Sequence, residues 1–144
     1  MKPLDHGLVF TCGFIEHVGR VCGIKRSVAV EAFGHDNISR LYNLADVFHS
    51  QSLEDNFIDW EERVTFPRGD YNTHINAQFR VPSEYAVGKV FARLIQELDL
   101  SPVDGIFSVY NSFIADLICD YSNHVIFTPI NELALSYREG ALIK

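Results

Sequence analysis

A chain of 144 residues is long enough to bury a hydrophobic core, and 47% hydrophobic with 22% charged residues is ordinary for a globular protein. No apolar run reaches the length of a membrane span, and the first ten residues do not resemble a signal peptide, so we predict a cytoplasmic protein without a membrane segment. The formal net charge of −7 argues against nucleic-acid binding through phosphate contacts, and it is compatible with a protein partner that has a basic surface.

Apolar residues recur at helical spacing through most of the chain, which predicts an all-α fold. The segment 45–50 is ambiguous between a helical turn and a short extended link. The predicted helices, in chain order, span residues 7–21, 27–33, 37–44, 54–62, 84–98, 101–121 and 129–139.

The segment Ser101 to Tyr121 has the clearest helical signature. Ser101 is placed to cap the first turn, and Pro102 occupies a position where a missing N–H costs nothing. The apolar stripe that follows is wide enough for us to expect this helix in the middle of the bundle. With the helix at 84–98 it would form an antiparallel hairpin, and this hairpin would be the stability core.

Periodicity fades between the halves 1–64 and 83–144. The connecting segment 65–82, TFPRGDYNTHINAQFRVP, is rich in turn-forming residues, although VTF and AQFRV could be short strands. We therefore predict a single-domain bundle of about six or seven helices with a long central loop.

The helix from Glu54 to Glu62 holds five carboxylates and one tryptophan in nine residues, with no basic residue before Arg63. We expect Phe57 and Ile58 to anchor it to the core and Trp60 to be an aromatic anchor for a partner. The alternative is a solvated face that only keeps the protein soluble. The predicted partner contacts are Glu54, Asp55, Asp59, Trp60, Glu61 and Glu62.

The three cysteines, Cys12, Cys22 and Cys119, and the six histidines show no metal-ligand spacing. We therefore expect free thiols, no metal, no cofactor and no catalytic residue. Asp46 and His49 are a possible functional pair, because an imidazole beside carboxylates is biased toward its charged form.

Two other functions stay open on the sequence. A small enzyme could use Cys12, His17 or His49, if a thiol and an imidazole lie within hydrogen-bond reach. A DNA-binding regulator could use the helix pair at 27–44. Its only basic residues, with the two that directly precede it, are Lys25, Arg26 and Arg40.

Residues 8–62 resemble a family of small uncharacterised helical domains of bacteria. The resemblance is carried by five features: Ile15-Glu16, Gly23-Ile24, Leu41-Tyr42, Asp46 with His49-Ser50, and the acidic helix Glu54 to Glu62. Phe48 stands where the family pattern has leucine. Such domains are encoded beside ADP-ribosyltransferase-like toxins, so the resemblance implies an antitoxin or immunity-type protein that blocks a toxin's basic surface, such as an NAD-binding one.

Overall fold

The computed structural model describes residues 2–75 and 77–143. Several of its helices begin at a side-chain cap or end at a glycine in the left-handed conformation. Asp5 Oδ1 accepts the N–H of Leu8 at 3.1 Å and begins the first helix. Gly23, at φ 64°, ends it in a left-handed conformation. Within the described residues the chain forms eight α-helices and one 3₁₀ turn at Val125–Phe127. The α-helices are α1 (His6–Cys22), α2 (Arg26–Asn43), α3 (Ala45–Phe48), α4 (Leu53–Glu61), α5 (Glu84–Glu97), α6 (Pro102–Tyr110), α7 (Phe113–Ile118) and α8 (Ile130–Glu139).

The predicted all-α bundle is confirmed, although the helices divide differently from the prediction in three places. The segments 27–33 and 37–44 run together as α2, with a kink at Gly34 (φ 76°) between them. The ambiguous segment 45–50 contains the short helix α3. Neither VTF nor AQFRV forms a strand in the part of the chain that the structure describes.

The expectation of one helix from Ser101 to Tyr121 is wrong, because the segment breaks at Asn111 and Ser112. Asn111 Nδ2 donates to the carbonyl of Phe107 at 2.9 Å, and Ser112 Oγ donates to the carbonyl of Val109 at 2.6 Å. Such side-chain bonds compete with continuation of a helix. The backbone of Ser112 is extended (φ −94°, ψ 162°), so α6 ends before it and α7 starts after it. Phe113 is consequently only half-buried.

The middle of the bundle is occupied by α1 and not by the Ser101 segment. Residues 10–19 are all buried, because α1 contacts helices on several sides, and it packs most extensively against α5 and then α2. The axes of α1 and α5 cross closely at Gly88, where a β-carbon would lie 2.6 Å from the backbone of Val9 and Gly13. The first and second halves of the chain therefore share one hydrophobic core.

The central loop is tied to the end of α1 by backbone hydrogen bonds. The N–H groups of Gly69 and Tyr71 donate to the carbonyls of Cys22 and Gly23, each at 2.9 Å. A β-carbon at Gly23 would lie 2.5 Å from the Gly69 carbonyl oxygen, so this approach needs a glycine. The loop thereby satisfies carbonyls that the C-terminus of a helix leaves open.

Candidate functional site

A fully buried carboxylate, Glu16 on α1, is the centre of an ionic network. Its Oε1 accepts from Arg26 Nε at 2.7 Å, and its Oε2 accepts from Arg26 Nη2 at 2.9 Å. Arg20 Nε, one turn along α1, and the Tyr121 hydroxyl also donate to Oε2, at 2.8 and 2.7 Å. The Cys119 thiol lies 3.5 Å from Oε1. Donors therefore surround both oxygens, and Glu16 has little capacity left for a substrate.

Glu16 is ionised at neutral pH in this network. Burial raises the pKa of its carboxyl, but the hydrogen bonds and charge of Arg26, with the charge of Arg20, outweigh burial and hold the pKa below its ordinary value. Burial lowers the pKa of Arg26, and the same contacts with Glu16 hold it above its ordinary value. Arg20 extends the network to the central loop by donating to the carbonyl of Pro82 at 2.6 Å. The network therefore joins α1, α2, the loop and Tyr121.

A second, partly buried polar contact joins His17 on α1 to Glu84 at the start of α5. The His17 Nδ1 atom and Glu84 Oε2 are 3.1 Å apart. The hydrogen bond from His17 lowers the pKa of Glu84 to about 2, and the charge of Arg20 adds to this effect. The His17 ring is only 5% exposed and lies between the rings of Phe14 and Phe57. Its aromatic surroundings keep the imidazole from solvent.

The cysteines do not supply the thiol that an enzyme of the Cys/His kind needs. All three are buried and free. Burial raises the pKa of Cys12 to about 12 and also raises the pKa values of Cys22 and Cys119, which opposes thiolate formation. No hydrogen bond joins a cysteine to a histidine among residues 2–75 and 77–143.

The predicted acidic helix forms as α4, capped by Ser52, whose hydroxyl accepts the N–H of Asp55 at 3.1 Å. Each of the five predicted carboxylates belongs to an exposed residue. They are Glu54, Asp55, Asp59, Glu61 and Glu62. Among the described residues, two of them have side-chain partners: Arg68 donates to Glu61 at 2.6 Å, and Gln51 donates to Asp59 at 3.3 Å.

The expected role of Trp60 is wrong. Trp60 is only 2% exposed, and its ring lies 5.5 Å from the ring of Phe33 and 5.7 Å from that of Phe48. It therefore belongs to the core and cannot be an exposed anchor. Ile58, which we expected in the core, is 59% exposed instead.

The spacing of the neighbouring apolar residues explains why Trp60 is buried and Ile58 is exposed. Leu53, Phe57, Trp60 and Val64 are all buried, and they repeat at the interval of one helical face. That face excludes Ile58, which lies among the carboxylates. We call the exposed surface formed by Glu54, Asp55, Ile58, Asp59, Glu61 and Glu62 the acidic face of α4.

Asp46 and His49 are both exposed but do not form the expected imidazole–carboxylate contact. In the described part of the chain, no carboxylate oxygen lies within ion-pairing distance of the His49 ring. That ring instead contacts Phe10 and Tyr85, with centroid distances of 5.6 and 5.4 Å. His49 thus packs over the junction of α1 and α5.

The helix pair at 27–44 lacks the basic surface of a DNA reader. Arg26 is 2% exposed and is held by Glu16, so it cannot contact phosphate. Lys25 lies 3.6 Å from Asp116. Of the three basic residues, Arg40 alone makes no ion pair with a described residue, and one cation contributes little affinity for DNA.

Nowhere among the described residues do three or more His, Cys, Asp or Glu side chains come close enough together to hold a metal ion. None of the helices within residues 2–75 and 77–143 combines the length and the apolarity that crossing a bilayer requires.

Fold and site together define an all-α bundle with a buried ionic network and an exposed acidic helix. Comparisons with protein-family models, with curated proteins and with solved structures each give no match for this chain.

Proposed function

We propose that this chain acts by binding a protein, and that the acidic face of α4 contacts a basic surface of that partner. The observation that carries the proposal is the position of Ile58. This aliphatic side chain is 59% exposed, with Glu54 one turn before it and Glu61 and Glu62 one turn after it. An apolar contact surrounded by charge is the usual composition of a protein interface, where the charges steer encounter.

The distribution of charge on α4 supports a basic partner. Acidic residues in the first turn of a helix are favoured by the helix dipole, but Glu61 and Glu62 lie at the end, where acidic residues are unfavourable. Arg68 offsets the charge of Glu61. Glu62 makes no ion pair with any residue that the structure describes, so a basic partner would relieve the repulsion that remains.

In its most concrete form, the partner is a bacterial toxin with an ADP-ribosyltransferase-like fold, and this chain is its antitoxin or immunity-type protein. Two considerations support this form. The resemblance at residues 8–62 covers α1 to α4 and therefore includes the acidic face. A basic NAD-binding surface has the charge that this face complements.

The test is affinity capture with the full chain from extracts of its source organism. The triple variant Asp59→Lys, Glu61→Lys and Glu62→Lys reverses the acidic face. A control with the same net charge reverses three exposed acids elsewhere: Asp36→Lys, Glu132→Lys and Glu139→Lys. We expect a partner that the triple variant captures much more weakly than the parent and the control do, because its association is slower. The association rate of the parent should fall as salt rises.

Two results would contradict the proposal. A partner that binds all three proteins equally excludes the acidic face as the contact. Identification of a partner that is not a transferase excludes the proposal that the partner is an ADP-ribosyltransferase-like toxin. If the partner is a transferase, its NAD-dependent activity should fall when the parent chain is added and should be unchanged by the triple variant.

A further inference from the structure

The central loop places one basic side chain against the acidic face of α4. Arg68 Nη2 donates to Glu61 Oε2 at 2.6 Å. The same guanidinium lies over the Phe57 ring, with its central carbon 5.5 Å from the ring centroid. Phe57 and Glu61 are one turn apart on α4, so Arg68 lies across that turn and contacts both side chains. A cation from the chain itself therefore already occupies one carboxylate of the acidic face.

The backbone on both sides of Arg68 is anchored. Phe66, two residues earlier, is 6% exposed, and its ring packs against that of Phe57 at a centroid distance of 5.7 Å. Gly69, directly after Arg68, donates its N–H to the carbonyl of Cys22 at 2.9 Å. Most exposed ion pairs contribute little, in part because two long side chains must be ordered. The anchored loop holds Arg68 beside α4, so less freedom is lost when this pair forms.

The other basic side chain beside α4 makes a different contact. The central carbon of the Arg63 guanidinium lies 5.7 Å from the Trp60 ring centroid. No carboxylate oxygen of a described residue lies within ion-pairing distance of Arg63. Arg63 and Arg68 therefore add the same charge near the end of α4, but only Arg68 pairs with a carboxylate of the acidic face.

We propose that Arg68 is an intramolecular competitor of the basic partner. Its guanidinium neutralises Glu61, and a cation of the partner must displace Arg68 before it can pair with that carboxylate. The contact thereby weakens association with any positively charged protein, so only a partner with further contacts to the acidic face binds tightly. This inference rests on the proposed function, because it concerns the regulation of the same face.

The test uses decalysine, a basic peptide of defined composition, and follows the backbone amide resonances of α4 in an NMR titration at low salt. Arg68→Gln frees Glu61, whereas the matched control Arg63→Gln removes the same charge without freeing a carboxylate. We expect Arg68→Gln to bind decalysine about two- to fivefold more tightly than Arg63→Gln. This is the range that follows from the free energy of an exposed ion pair.

A second comparison tests whether the effect depends on Glu61. In a Glu61→Gln background Arg68 has no carboxylate to occupy at this position, so adding Arg68→Gln or Arg63→Gln should give the same affinity. All three positions are exposed. The hydrogen bonds that join the loop to the end of α1 use backbone groups, so the substitutions leave them in place.

The proposal is overturned if Arg68→Gln binds decalysine no more tightly than Arg63→Gln, or if its advantage persists in the Glu61→Gln background. The proposed function survives either result, provided that decalysine shifts the α4 amides of the parent and that reversal of Asp59, Glu61 and Glu62 removes those shifts. If decalysine shifts no α4 amide in any of these proteins, the acidic face does not take a basic ligand, and the proposed function fails together with this inference.

Discussion

The side chain of Arg26 crosses α1 directly over Gly19, where a β-carbon would lie 2.4 Å from Arg26 Cδ. The missing side chain at Gly19 leaves the space through which the guanidinium reaches Glu16. Arg26 cannot move aside cheaply, because two of its nitrogens donate to the buried Glu16 carboxylate. Glycine lowers helix propensity, but the ion pair between Arg26 and Glu16 explains why position 19 has no side chain.

The first prediction follows from this contact. Gly19→Ala should lower the free energy of unfolding by about 1–3 kcal/mol, because the added methyl group overpacks a site whose neighbour is fixed. Gly7→Ala on the same helix is the matched control, since a β-carbon there would meet nothing closer than 3.4 Å. Urea unfolding of the two variants measures the difference. Equal midpoints for both would show that Arg26 adapts without cost.

The second prediction concerns Glu16 itself. Glu16→Gln should lower the free energy of unfolding by about 3–5 kcal/mol, because it leaves the buried charge of Arg26 without a counter-charge. Glu31→Gln, at an exposed position on α2, should change stability by no more than about 0.5 kcal/mol. The measurement is again urea unfolding at neutral pH. A small effect at position 16 would mean that water or another acid replaces the lost charge.

The third prediction is a pH dependence that depends on Glu84. Its folded-state pKa of about 2 is below its ordinary value of 4.5, so the folded protein holds this group ionised more strongly than the unfolded chain does. The resulting stability is fully present above pH 4.5 and is lost as the pH falls toward 2. Glu84→Gln should therefore flatten the fall in stability over that range.

Thermal unfolding between these pH values measures the effect, with Glu132→Gln on α8 as the exposed control. The control should keep the slope of the parent. A Glu84 variant with the parent's slope would show that the contact with His17 does not distinguish the folded from the unfolded state.

Helix type and approximate limits could be predicted from the sequence, because they depend on local features. The apolar spacing of α1 and α5, the cap at Ser52 and the stop at Gly23 all involve residues a few positions apart. The break inside residues 101–121 could not be predicted, because apolar residues continue at helical spacing on both sides of Asn111 and Ser112. Only the structure shows that these two side chains bond to carbonyls of the preceding turn, where the helix ends.

The ionic network could not be predicted, because its members are far apart in the sequence. Glu16, Arg26 and Tyr121 come together only when α1, α2 and the segment after α7 pack around one point. One signal was present: a glutamate with an arginine four residues later, on the apolar helix α1. For α4 the acidic composition predicted an exposed face, but composition alone could not decide whether Ile58 or Trp60 belongs to it.

The last prediction separates the roles of Ile58 and Trp60. Ile58→Ala should change the free energy of unfolding by no more than about 0.5 kcal/mol, because the side chain is 59% exposed. Trp60→Ala should cost about 3–5 kcal/mol, because it removes a buried ring that packs against Phe33 and Phe48.

Ile58 and the acidic side chains of the same face should affect partner binding in different ways. Ile58→Ala should weaken the affinity about tenfold or more, mainly through faster dissociation, because an apolar contact in the centre of an interface is lost. Reversal of Asp59, Glu61 and Glu62 should instead slow association, and raising the salt should reduce that difference. Surface plasmon resonance on the captured partner distinguishes the two effects. If Ile58→Ala leaves the dissociation rate unchanged while the charge reversals abolish binding, the partner contacts the carboxylates alone, and Ile58 lies outside the interface.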